Sequence, residues 1–342
     1  MPSYRLYTGS YTMKGAHPGI HVLSFEKGIL SVIDSDSSLT NPSYVLPVGD
    51  RLYAVEERMD GAAAAVFQTG GKGIEKRLGR YEAPGSLMCH ICRRGPYLYA
   101  SNYLAGSLAG LREEDGGLCC HIQHEGHSAD PVRQKGPHVH SALPSPDGKR
   151  LLVADLGLDR LFQYEILADG GLRPWPAQPW LETAPGLGPR HFAFHPNGRW
   201  LYLVAEMDKT LLVCRHDPDT GVLAQTAEHS LRGSGCPPEA LAADVHLTAQ
   251  GDFLYASVRG SDRIFAFRVK GDGGVLEGLG DFPSGGKGPR SFALSPDGRY
   301  LAAANMESGN LALFPRDQAT GALGQAEASL DLPLVSCVKW AE

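Results

Sequence analysis

The sequence predicts an all-β chain folded as a single seven-bladed β-propeller of four-stranded antiparallel blades over residues 1–342, and three observations predict it. A seven-fold repeat fills the chain, each repeat carries the same order of strand and turn signals, and the two ends complement each other. The repeat is read from the strings RLYTGSY, RLYAVEE, YLYASNY, RLLVADL, WLYLVAE, FLYASVR and YLAAANM. Their leucines are residues 6, 52, 98, 151, 201, 254 and 301, spaced by 46, 46, 53, 50, 53 and 47. Nothing is left over for a second domain, and no segment holds a 3.6-residue period, which excludes a helical solenoid.

Within a unit the elements follow in a fixed order. A first strand comes after a Pro or Gly cluster, as in NPSYVLPV, MCHICR, PHVHSALPS, PRHFAFHP, AADVHLTA and PRSFALSP. A turn such as SPDGKR, HPNGRW or SPDGRY follows. There Pro presets φ, and Asn-Gly or Asp-Gly accepts the positive φ of a tight hairpin. The second strand is the repeat string. A third strand (LFQYEIL, LLVCRHD, IFAFRVK, LALFPRD) leads to a Gly turn such as ADGGL or DPDTGVL, then to a weaker fourth strand. The first unit starts at its second strand, and the chain closes on PLVSCVKWAE (Pro333 to Glu342), which reads as an unpartnered first strand. Pairing the two ends would complete one blade and remove two sheet edges.

Composition limits the functions. Gly (42) and Pro (24) make about a fifth of the 342 residues and are spread as punctuation between apolar runs. The net charge of −6 comes without a basic block, so no nucleic-acid partner is expected. No apolar run nears 18 residues and the N-terminus lacks a signal-peptide pattern, so neither membrane nor export is expected. Seven Cys without framework spacing suggest free thiols and a cytoplasmic location. Five His fall between Cys119 and His140, but their spacing fits no standard metal set, and no cofactor motif is present. The GxSxG elbow of a covalent serine route is also absent.

The polar residues gather on one rim, where first strands start and second strands end. Starts give Asn41, His90, His138, His140, Arg190, His191, Asp244, His246 and Arg290. Ends give Glu56, Glu57, Asn102, Tyr103, Asp155, Glu206, Arg259, Asn305 and Glu307. Taken singly, Arg190 with Glu206 reads equally as an ion pair tying one hairpin shut, and His140 as a core His bonded to a carbonyl. Together, three Arg at one mouth make a site for phosphate or carboxylate.

At these residues the sequence resembles the seven-bladed propeller lactonases, which include propeller-type 6-phosphogluconolactonases and fungal carboxymuconate cyclases. The likeness runs almost the whole chain, through LYTGSYT, NPSYV, LYASNYLAGSL, PHVHSALPSPDGKRLLVADLGLDRLFQY, DVHLTAQGDFLYASVRGSDRI and GPRSFALSPDGRYLAAANMESGNLALF. The GPRHFAFHPNGRWLYLVAE block is its most specific part. The first three units depart from it: CHICRRGPYLYAS lacks the Pro-Asp-Gly turn, and VEERMDGAAAAVF is rich in Ala. The resemblance implies a catalytic group of His140, Arg190, Glu206 and Arg259. His138 rivals His140, because PHVH places both on one face at i and i+2. The other rim residues expected to contact substrate are His138, Arg290, Asp155, Asn102 and Asn305.

The expected reaction is hydrolysis of a small anionic lactone, 6-phosphogluconolactone above others. A lactone carbonyl is already electrophilic, so a positioned base and charge stabilisation suffice. Glu206, oriented by Arg190, is the expected base. His140 and Arg259 would stabilise the oxyanion or protonate the leaving oxygen, and His140 is the other candidate for base. A carboxymuconate-type cycloisomerase on the same site and a non-enzymatic interaction platform are the alternatives.

Overall fold

In the computed structural model, which describes residues 4–13, 15 and 17–341, each repeat forms one antiparallel sheet. Blade 5 is typical. It runs from the innermost strand Pro189–Phe194 through Trp200–Ala205 and Thr210–His216 to the outermost Leu223–Ser230. Blade 1 is closed by the two chain ends: the innermost strand Val335–Trp340 pairs with Tyr4–Ser10. Blade 4 differs at its outer edge, where two short strands, Leu172–Pro174 and Trp180–Glu182, replace one continuous strand. Pro174, Pro176 and Pro179 account for the break, since proline cannot donate to a ladder. All the secondary structure among the described residues is strand, bridge or turn.

The core is divided among seven clusters, each filling one seam between adjacent blades. The repeat leucines 6, 52, 98, 151, 201, 254 and 301 are all fully buried in these seams. The tyrosine after the leucine has a second task. Tyr99, Tyr202 and Tyr255 donate to the carbonyls of Gly170, Gly273 and Gly321, each in a turn of the next blade, at 3.1, 2.7 and 2.6 Å. Those turns need glycine. At Gly321 φ is +80°, and a Cβ would come within 2.3 Å of Phe253. In blades 3, 5 and 6 the Leu-Tyr pair is thus an apolar wedge followed by a hydrogen-bonded staple to the neighbouring blade.

Candidate active site

Strand alternation alone would send every second side chain of an innermost strand into a blade seam. Six of the seven innermost strands interrupt that alternation with a register shift near their first residues. The shifts bracket Cys89, His140, Arg190–His191, Ala243–Asp244, Arg290 and Ser336. A bulge adds one residue and re-aims its side chain. Cys89, His140, Arg190, His191, Arg290 and Ser336 all line one narrow cavity of about 10 Å³ in the central channel, with room for about one water.

Glu206 lies beside this cavity, just beyond the end of Trp200–Ala205, and is held by three guanidiniums. Arg190 Nε donates to its Oε2 at 2.8 Å, Arg259 Nη2 lies 2.9 Å from the same oxygen, and Arg133 Nη2 donates to Oε1 at 2.6 Å. Burial alone would raise the Glu206 pKa, but the three cations outweigh it and bring it down to about 2. Arg190 also donates to the Ala243 carbonyl. Burial lowers the Arg259 pKa to about 10, with Glu206 opposing the fall and Arg190 and Arg290 adding to it. Arg290 has no carboxylate within ion-pair distance among the described residues; its Nη2 donates to the Tyr11 hydroxyl at 3.1 Å. It is the guanidinium freest to take an external anion.

His140 is 4% exposed, and its Nδ1 has no hydrogen-bond partner. Burial, with Arg190, His191, Arg290 and Arg259 nearby, holds its pKa well below the usual imidazole value, so the ring is neutral at neutral pH. His191 meets it edge to face, with centroids 5.3 Å apart, and pairs through Nδ1 with Asp244 Oδ1 at 2.8 Å. Burial and Arg190 outweigh Asp244 and bring His191 to about 4. His138 is not equivalent to His140, contrary to the i, i+2 expectation. The bulge falls between them, and His138 stacks on Tyr103, with centroids 4.5 Å apart, outside the lining of the channel cavity.

Three expected substrate contacts are corrected. Asp155 is fully buried: Oδ1 accepts the backbone N–H groups of His138, Gly157 and Leu158, and Oδ2 binds His124 at 2.6 Å. Asn102 and Asn305, also fully buried, donate to the Pro84 and Ser284 carbonyls and pin the segments that lead into blades 3 and 7. All three build the rim from behind. The five His of the Cys119–His140 segment do not converge either; His124 packs against Asp155 and Tyr164, while His140 faces the channel. No group of three or more His, Cys, Asp or Glu suited to a metal occurs among the described residues.

The site residue that strand logic misses is Arg133. It sits in the connection between blades 3 and 4, where Asp130 accepts the N–H groups of Val132 and Arg133 and fixes a turn that presents the guanidinium to Glu206. The string ADPVRQ carries that turn signal, Asp-Pro with an acceptor two and three residues ahead of N–H donors. Above the channel the mouth widens into a groove of about 760 Å³ with Arg290 in its wall.

A propeller whose cationic, imidazole-lined mouth can bind an anion and polarise a carbonyl has the make-up of a small-molecule site. The chain belongs to the family described as lactonase, 7-bladed beta-propeller, whose model matches residues 5–340. It is 30% identical over 350 residues to the 6-phosphogluconolactonase of Bacillus subtilis, covering 99% of both chains. Among solved structures, it superimposes with a TM-score of 0.92 and 28% identity on a Bacteroides fragilis protein provisionally described as a 6-phosphogluconolactonase, over 99% of this chain and 98% of that one. The periplasmic gluconolactonase of Pseudomonas aeruginosa matches with a TM-score of 0.90 and 29% identity, over 100% and 99%. The protein is therefore a 6-phosphogluconolactonase-like lactonase, a hydrolase of cyclic esters.

Proposed function

We propose that the substrate is 6-phosphogluconolactone, hydrolysed to 6-phosphogluconate in the cytoplasm as a step of the pentose phosphate pathway. The observation that carries this reading is the charge at the mouth. Arg133, Arg190, Arg259 and Arg290 face Glu206 and Glu57, an excess of cations that suits a doubly charged phosphate ester. Arg290, without a carboxylate partner, takes the phosphate. Arg259 faces the developing oxyanion.

The same geometry favours His140 over Glu206 as the base. Both oxygens of Glu206 are already taken by three guanidiniums, and its work is to hold those guanidiniums in place. His140 has a neutral ring and an unpartnered nitrogen. It takes a proton from water as the water oxygen bonds to the lactone carbonyl carbon. The tetrahedral intermediate then collapses with cleavage of the ring C–O bond, and His140 returns the proton to the leaving alkoxide. The acid formed ionises, so one proton is released per turnover.

The test is hydrolysis of freshly generated 6-phosphogluconolactone, coupled to 6-phosphogluconate dehydrogenase. Turnover above the spontaneous rate is expected, with kcat about 10²–10⁴ lower in His140→Asn. The kcat of the native protein should stay flat through neutral pH and fall only in acid, as the imidazole protonates. Undiminished kcat in His140→Asn would remove it as the base. Inactivity on this lactone with turnover of a carboxymuconate would favour the cycloisomerase.

A further inference from the structure

The groove above the channel is walled by residues of blades 1, 2 and 7 and of the segment leading into blade 3. Its wall joins the apolar Met13, Met59, Met306, Leu87 and Leu334 to a charged side made of Arg290, Arg58, Glu57 and Asp60. Met13 and Met59 are 66% and 70% exposed, and Met59 comes from the divergent VEERMDG segment. Exposed apolar surface gathered in one concavity marks a binding site, and methionines adapt to varied apolar shapes. A hydroxylated sugar phosphate offers them little continuous apolar surface.

The leucines add an independent observation. Leu87 and Leu334 each stand immediately before an innermost strand, with φ of +50° and +52°. In blades 5 and 7 the same place is held by Gly188 and Gly288, with φ of +69° and +70°. The equivalence is structural. The carbonyls of Leu87, Leu334, Gly188 and Gly288 accept the N–H groups of Tyr103, Tyr11, Glu206 and Met306 respectively. Glycine adopts this left-handed conformation freely, whereas leucine is strained in it. At two positions where the repeat can use glycine, the chain keeps a strained leucine, and both side chains line the groove.

We propose that this mouth takes an anionic lactone bearing an apolar arm, with the anion on Arg290 and the arm across Met13, Met59, Met306, Leu87 and Leu334. The proposal rests on the lactonase reading of the channel and names a substrate class for it beyond the phosphorylated sugar.

The probe is a series of 4-carboxy-γ-butyrolactones with 5-alkyl chains from methyl to octyl, run beside 6-phosphogluconolactone. The kcat/KM should rise about two- to four-fold per added methylene until the groove is filled. Met59→Asn, a neutral change at an exposed position, should flatten that rise and leave 6-phosphogluconolactone turnover unchanged. Leu87→Gly should flatten it too, with thermal stability kept or raised because the backbone strain is relieved. Calorimetric titration with the ring-opened alkyl acids reads the same chain-length dependence without turnover. Lactone turnover or acid binding that ignores chain length, or a rise that survives both substitutions, overturns the proposal and leaves the lactonase reading intact. If no lactone is turned over, the lactonase reading fails, and the titration alone decides whether the groove binds an apolar arm.

Discussion

Glu206 shows how a residue's type can be legible in sequence while its state is not. That Arg190 and Glu206 meet follows from folding one hairpin about Asn197. That Glu206 carries two further guanidiniums does not, because Arg259 arrives from the next blade and Arg133 from a connection without strand periodicity. Those extra partners occupy both of its oxygens and fix it as an anchor of the rim. Asp155, Asn102 and Asn305 were misplaced by the reverse effect: a strand end on the correct rim can point back into its own loop. The charge state of Glu206 gives a stability prediction. A folded pKa near 2 against an ordinary value of 4.5 favours the folded protein above about pH 4.5, and that contribution is lost as pH falls toward 2. Its size is about 3 kcal/mol. Glu206→Gln leaves the guanidiniums uncompensated and should cost about 3–5 kcal/mol at pH 7. Urea unfolding at pH 7 and pH 3 checks this, since the gap between native and variant should narrow on acidification. A gap that stays constant would mean that the carboxylate charge does not set it.

At the scale of the element, strands and hairpins were legible because their period of two and their Pro and Gly punctuation are local signals. The interrupted outer edge of blade 4, where Pro174, Pro176 and Pro179 break the strand, departs from the four-strand expectation. The bulges were not legible, because an inserted residue changes facing without changing composition. That is why His138 and His140 look equivalent in sequence and are not in space. The Leu-Tyr repeat gives the element-scale prediction. Tyr202 is fully buried, and its hydroxyl is the bond from blade 5 to the Gly273 carbonyl of blade 6. Tyr202→Phe keeps the ring and loses the donor, which should cost about 1–3 kcal/mol if the carbonyl is left dry. Thermal unfolding should show the loss, while KM for the lactone stays unchanged because the staple lies in a seam. A shifted KM would show that the seams transmit strain to the channel.

For the whole molecule, stability and function meet at the ring closure. Val335–Trp340 is the innermost strand of blade 1, so the last stretch of sequence lies between blades 7 and 2, which supply Arg290 and Tyr44 to the channel. Val335, Cys337 and Val338 are fully buried, Trp340 is 6% exposed, and Ser336 reaches the channel and donates to the Ser43 carbonyl at 2.9 Å. Burying four such side chains contributes about 6–12 kcal/mol, comparable to the entire stability of an ordinary domain. Removing residues 335–342 would also expose the ladder edge of Tyr4–Ser10. The truncated chain should therefore lack a cooperative thermal transition and aggregate. A circular permutant that joins the natural ends by a flexible linker and opens at the exposed Lys27–Gly28 turn should keep both its fold and its lactonase activity. Circular dichroism melts and size-exclusion chromatography of the two proteins separate the possibilities. A truncated chain that melts cooperatively would mean that six blades and a partial seventh close without the terminal strand, and that the stability of the ring resides in the seams alone.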